Sequence, residues 1–174
     1  LAATLLRPLT FEEEKMVKAV IHGPSSGSEV LVSRDTDSVS RESMRTLRPG
    51  VWLNDEIINY YLKNCLAMRD KQLCKEKQGR KRSHFFNSFF FQAMFDEKNT
   101  DPVKMGRYNY EKVRRWSSKV PGNDIFNLTY IICPVNLDNV HWTVAVIFME
   151  AKRIQWYNSY GATDKQSCVD YCNT

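Results

Sequence analysis

Apolar positions follow two patterns along the chain. Early on they recur at helical spacing between polar stretches. In the last third they gather in short β-branched and aromatic runs. Thr10 opens the first helical stretch: Glu13 follows at the capping-box spacing, acidic residues fill the first turn, and Met16, Val17 and Val20 share a face. The run His22-Gly23-Pro24-Ser25-Ser26-Gly27 ends it in a turn. Residues 29–32 read as a short strand, and the polar residues 34–41 as a loop. A second helix is predicted from Asn54 or Asp55, either of which can cap it, through Ile57, Ile58, Tyr61, Leu62 and Cys65. Residues 69–84, dense in Lys and Arg, read as a basic, solvated loop insert. The aromatic run 85–95 requires burial, 99–109 reads as a loop, and 110–116 as a short basic helix.

Residues 129–135, 142–148 and 154–157 are rich in Val, Ile, Tyr, Trp and Phe, and polar turns separate them, so they read as an antiparallel meander. The middle run is apolar on both alternations, which suits a central strand covered on both faces. Helices that precede a sheet, instead of alternating with it, predict an α+β layout. No internal repeat or linker divides the chain, so a single domain over 1–174 is expected.

Composition narrows the function classes. The 174 residues are 43% hydrophobic, 26% charged and 12% aromatic, an ordinary globular balance. No window approaches eighteen consecutive apolar residues, and the apolar start at 1–6 is too short for a signal-peptide core. The net charge of +5 suits an acidic protein partner as readily as a polyanion. The five cysteines, Cys65, Cys74, Cys133, Cys168 and Cys172, form no regular framework, so reduced thiols in a reducing, intracellular compartment are expected. No Cys-x-x-Cys occurs, and His22, His84 and His141 stand singly, so neither zinc nor any cofactor is predicted.

The candidate chemistry lies at one rim of the meander. His141 starts the central strand and Asn158 ends the next, so in an antiparallel hairpin they emerge near opposite positions. An amide oxygen beside an imidazole can accept from Nδ1–H, fix the tautomer and leave Nε2 as a base. The bland alternative is a surface histidine at a strand end. Trp52 and Trp142 likewise have two readings: buried core indoles, or the walls of a slot that admits only glycine-like backbone.

An ordered series of motifs then becomes recognisable: Trp52-Leu53-Asn54-Asp55-Glu56-Ile57-Ile58-Asn59, Phe86-Asn87-Ser88-Phe89-Phe90-Phe91, Val113-Arg114-Arg115-Trp116, His141-Trp142 and Tyr157-Asn158-Ser159. The set resembles the ubiquitin-like-specific protease family, the sentrin/SUMO-specific cysteine proteases, along most of the chain. The resemblance implies a papain-like α+β architecture, with N-terminal helices packed on a central, mostly antiparallel sheet. It implies a thiol protease that removes or matures a SUMO-like modifier by cleaving after its C-terminal Gly-Gly. By the same resemblance, His141 matches the catalytic histidine and Asn158 falls where the family has the orienting aspartate. Trp52 and Trp142 match the indoles around the Gly-Gly tail, and Asp55 and Phe89 match positions that contact the folded body of the modifier.

Two departures accompany the resemblance. Asparagine at 158 can hold a tautomer, but it brings no charge to stabilise imidazolium. The family's nucleophile segment, a Gln followed by Asp-Cys-Gly, lies beyond a further helix and strand. Here Gln166 and Cys172 have the Gln-to-Cys separation, but 161–165 reads as a turn into a helix that carries Cys168 and Cys172 on one face. The chain is therefore expected to stop before the nucleophile and to be inactive alone. The alternative is an inactive relative or fragment that grips a ubiquitin-like tail. A nucleic-acid-binding reading rests only on the basic residues 69–82 and lacks stacking platforms tied to a basic groove.

Overall fold

A computed structural model describes residues 7–95, 108–137 and 139–160. They group by internal packing into two compact units, one through Tyr60 and one from Tyr61.

The first unit contains α1 (Phe11–His22), a hairpin of β1 (Val30–Arg34) and β2 (Asp37–Ser40), α2 (Arg41–Arg45) and α3 (Asp55–Tyr60). The capping box at the start of α1 is formed as expected: the Thr10 hydroxyl accepts from the Glu13 backbone N–H while the Glu13 carboxylate accepts from that of Thr10. Arg7 adds an ion pair, and together these bonds hold the Glu13 carboxyl down at about 2. The expected apolar face is not the buried one, however. Met16 and Val17 are exposed, and Ile21 is the residue of α1 that is buried.

The loop expected over 34–41 is instead the second half of a hairpin. Arg34 pairs with Asp37, so the turn is Asp35-Thr36, with Asp35 at φ +50°. A mostly polar strand hides its alternation, yet Val39 is fully buried. Arg41 at the start of α2 is also buried. Its Nη1 donates to the Ala19 and Val20 carbonyls, both at 2.8 Å, and its Nε to Glu29 at 2.9 Å. One guanidinium thereby satisfies the open C-terminal end of α1.

The second unit starts with a π-helical stretch, Tyr61–Leu66, and continues through α4 (Ala67–Glu76), β3 (His84–Phe85), α5 (Phe89–Ala93), α6 (Tyr110–Val113), the 3-10 turns Arg114–Lys119 and Pro121–Asn123, then β4 (Tyr130–Leu137), β5 (His141–Phe148) and β6 (Arg153–Tyr157). The sheet order is β3-β4-β5-β6, with β3 parallel to β4 and the other pairs antiparallel. The meander is as expected and the layout is α+β. Phe86, Ile131, Cys133, Val135 and Ala145 form the core, with Phe90, Phe91 and Trp116 packed against it. Phe86, Phe90 and Phe91 of the aromatic run thus pack against one face of the sheet.

The basic insert expected over 69–84 is a correction. It is helical to Glu76, because Arg, Lys, Gln, Leu and Glu are all good helix formers and a polar exposed helix looks like a loop by composition. The remaining turn is pinned by Asp70, only 4% exposed, which accepts from Arg80 at 2.9 Å, Arg82 at 3.0 Å and the Ser83 backbone N–H at 2.8 Å. Burial pushes the Asp70 carboxyl up, but the bonds from Ser83, Arg82 and Arg80 outweigh it and hold the group below the usual carboxylate value. A carboxylate depressed in the folded state contributes stability above its unfolded pKa of about 4, and that stability is lost as pH falls through the folded value. Asp70→Asn is expected to lower the unfolding free energy at neutral pH by about 2 kcal/mol. Urea titrations should also show a shallower loss of stability below about pH 4 than in the parent chain.

Candidate active site

The site follows from strand register. Leu137 pairs with His141 across β4–β5, and Val144 with Tyr157 across β5–β6. Paired residues share a face and every second residue returns to it, so His141 and Thr143 on β5 share a face with Asn158. Continued one step, the ladder sets Asn158 opposite Thr143; residues 159 and 160 then form a turn. Asn158 is therefore the diagonal neighbour of His141, not its direct opposite, and its side chain spans the offset: His141 Nε2 and Asn158 Oδ1 are 2.7 Å apart.

The orientation of this amide is fixed independently. The Tyr160 backbone N–H, which can only donate, points at Asn158 Oδ1 at 3.0 Å, closing an Asx turn at the end of β6. The atom facing the imidazole is therefore the oxygen, and the ring nitrogen beside it must carry the proton. The expected contact through Nδ1 is corrected: the bond runs through Nε2, and the tautomer that satisfies it has its lone pair on Nδ1. The ring of Tyr160 lies flat against the imidazole, centroids 3.9 Å apart and 12° between planes. Tyr160 was not among the expected site residues. The signal that could have found it is its place two residues after Asn158, in the turn that leaves β6.

The other expected residues fall on several elements. Trp142, half-buried, follows His141 on the strand and so lies on the opposite face, paired with Asn136. Phe89 begins α5; its N–H donates to Asn87 Oδ1, and the residue stays 52% exposed while Phe90 and Phe91 pack on the core. Trp52 and Asp55 belong to the first unit. Asn54 caps α3 through its Oδ1 at 3.1 Å from the Ile57 N–H, and its Nδ2 donates to Ser43 at 2.8 Å. Glu56 accepts from the Ser40 N–H at 2.9 Å and from the Ser43 hydroxyl. These bonds anchor the residues on either side of Asp55, and Trp52, just before them, is 58% exposed.

Of the cysteines, Cys133 is buried in β4 opposite Ala145, four residues beyond His141, which is about 14 Å along the strand. It lines an apolar cavity of about 300 Å³ with Phe86, Phe90 and Ile131, as a packing residue. Cys74 donates to the Lys81 carbonyl at 3.3 Å. Cys65 is exposed on the π-helical stretch. Gln166, Cys168 and Cys172 lie outside the described residues. Among the described residues no cluster of three or more His, Cys, Asp or Glu could hold a metal ion, and no helix is long and apolar enough to cross a membrane.

Residues 51–174 match the family described as the Ulp1 protease family, C-terminal catalytic domain. Among curated proteins, ubiquitin-like-specific protease 1A of Arabidopsis thaliana is 33% identical over 154 residues, covering 88% of this chain and 28% of that protein. Sentrin-specific protease 2 of Homo sapiens is 32% identical over 164 residues, covering 94% of this chain and 24% of that protein. Among solved structures, the SUMO protease Ulp1 with its catalytic cysteine oxidised to a sulfenic acid superposes with a TM-score of 0.69 at 24% identity, covering 97% of this chain and 64% of that chain. The Ulp1 protease domain in complex with Smt3, the yeast ortholog of SUMO, gives 0.67 at 23% identity, with the same coverage. These superpositions show an Ulp1-like α+β fold. The chain spans roughly a quarter of the length of these two curated relatives.

The double role of Asn158 Oδ1 has a direct readout. Asn158→Ala removes the acceptor of the Tyr160 amide, whose hydrogen exchange is expected to quicken by about five- to tenfold, while Asn158→Asp, which keeps an oxygen there, retains the protection.

Proposed function

We propose that this chain, which belongs to the Ulp1 protease family, carries the histidine half of a thiol-protease centre that cleaves after the C-terminal Gly-Gly of a SUMO-like modifier. The observation that carries the reading is the bond between His141 Nε2 and Asn158 Oδ1, with the amide oriented by the Tyr160 N–H. A histidine held by its Nε2–H presents the Nδ1 lone pair as a base. That base takes the proton of a cysteine thiol, and the thiolate attacks the carbonyl carbon of the terminal glycine. As the tetrahedral intermediate collapses, the imidazolium returns the proton to the departing amine, and water then hydrolyses the thioester.

In this reading Asn158 does the orienting work without charge. Trp52 and Trp142 enclose the Gly-Gly tail, which no bulkier side chain could follow, and Asp55 and Phe89 meet the folded body of the modifier. The exposure of Trp52 and Phe89 supports the last two roles. It equally supports a second reading, a module that binds the modifier without cutting it, since the orienting residue here is an amide. The partner in both is a SUMO-like protein or its conjugates, in the nucleus or cytoplasm, and no cofactor is invoked. Arg80 and Arg82 are bonded to Asp70, which speaks against a free basic patch for nucleic acid.

A SUMO-like protein ending in a C-terminal vinyl sulfone separates the readings. An adduct that disappears on Cys172→Ser assigns the nucleophile to this chain. Reversible binding without an adduct, lost on Trp142→Ala, favours the module. No binding at all contradicts both. In any form of the protein that cleaves a SUMO-like precursor, Asn158→Asp is expected to raise the rate at least about tenfold, because it supplies the charge that imidazolium lacks.

A further inference from the structure

We propose that Tyr160 is a positioning residue for His141. With the Asn158 amide, its ring holds the imidazole in one plane and one tautomer, the proton on Nε2. This rests on the reading of His141 as the base.

Two contacts carry it. The tyrosine ring is stacked on the imidazole at 3.9 Å and 12°, and the tyrosine backbone N–H fixes the amide oxygen that the imidazole addresses at 2.7 Å. Exposure argues the same way. His141 sits at the rim of the sheet yet is only 7% exposed, whereas Tyr160 is 67% exposed. The tyrosine takes the solvent side while the histidine is shielded. Most of its surface faces water, so core packing does not demand an aromatic residue here.

The need for such a ring follows from the amide. A carboxylate would hold an imidazole by charge as well as by hydrogen bonding. An amide oxygen offers a single neutral bond, for which water competes. A half-turn of the imidazole about its Cβ–Cγ axis would put Cε1–H where Nε2–H now stands and break the bond to Asn158. A parallel aromatic face leaves the in-plane bond untouched, opposes tilting out of that plane, and keeps water from one side of the bond. Asn158 then selects the edge of the ring and Tyr160 its plane.

The test is a long-range proton–nitrogen correlation spectrum of the full chain with labelled histidine, at a pH well above the ordinary imidazole range. The chain has three histidines, so His22 and His84 serve as internal controls. The parent chain and Tyr160→Phe should both show His141 predominantly as the Nε2–H form. In Tyr160→Ala the ratio of that form to its Nδ1–H counterpart should fall by about two- to tenfold. An unchanged ratio in Tyr160→Ala overturns the proposal, and so does a fall in Tyr160→Phe as large as in Tyr160→Ala. If Tyr160→Ala also displaces the His22 and His84 signals, Tyr160→Leu is judged by the same criterion. The readout needs no substrate: failed capture of the modifier beside an intact tautomer effect would sink the functional reading and leave the positioning role standing.

Discussion

The β5–β6 ladder constrains everything at this site through parity. Pairing Val144 with Tyr157 puts the odd residues of β5 and the even residues of β6, up to Asn158 at its end, on one face, and the turn after Asn158 brings Tyr160 to the same place. His141, Asn158 and Tyr160 meet there, while Trp142 goes to the other side of the sheet. A slip of one residue would send Asn158 to the wrong face and leave the imidazole without its amide. The register is held by the apolar alternation of β4 and β5, where Ile131, Cys133, Val135 and Ala145 are all buried. The site's geometry is thus tied to core packing that begins one pair along the face, where Val135 meets Thr143.

Polar side chains at element ends do the finer positioning in both units. Arg41 closes the end of α1, Asn54 and Glu56 tie the start of α3 to Ser40 and Ser43, and Asp70 gathers the turn after α4. Asn158 belongs with them, since one oxygen serves both a backbone N–H and an imidazole. Each is a short polar group meeting a donor or acceptor left open where a helix or strand stops. Their common effect is to fix the chain immediately beside residues that stay exposed, such as Trp52 and Tyr160.

Much of this was legible in the residues because it is written in local chemistry. Thr10 and Glu13 announce a capping box, Asn54 a helix start, and the three apolar runs a meander with His141 and Asn158 at one rim. What was missed depends on tertiary context. The β2 strand is mostly polar and is recognisable only once Val39 has something to pack against. Residues 69–76 are as polar as a loop, but they contain no helix breaker, and composition was the wrong guide to them. The choice of Nε2 over Nδ1 is set by a single backbone N–H on Tyr160 and leaves no trace in spacing or hydropathy. The stacked ring comes from the turn past the end of β6, and its one trace in the sequence is the place of Tyr160 two residues after Asn158.

The central proposal is that this chain holds the tail of a SUMO-like modifier beside His141. It is tested most directly by chemical-shift mapping with a SUMO-like protein ending in Gly-Gly, compared with the same protein lacking those two glycines. The account predicts that the indole N–H signals of Trp52 and Trp142 and the ring signals of His141 shift with the intact tail and return toward their free positions without it. Identical shifts with both proteins, or shifts that leave those three residues untouched, would contradict it.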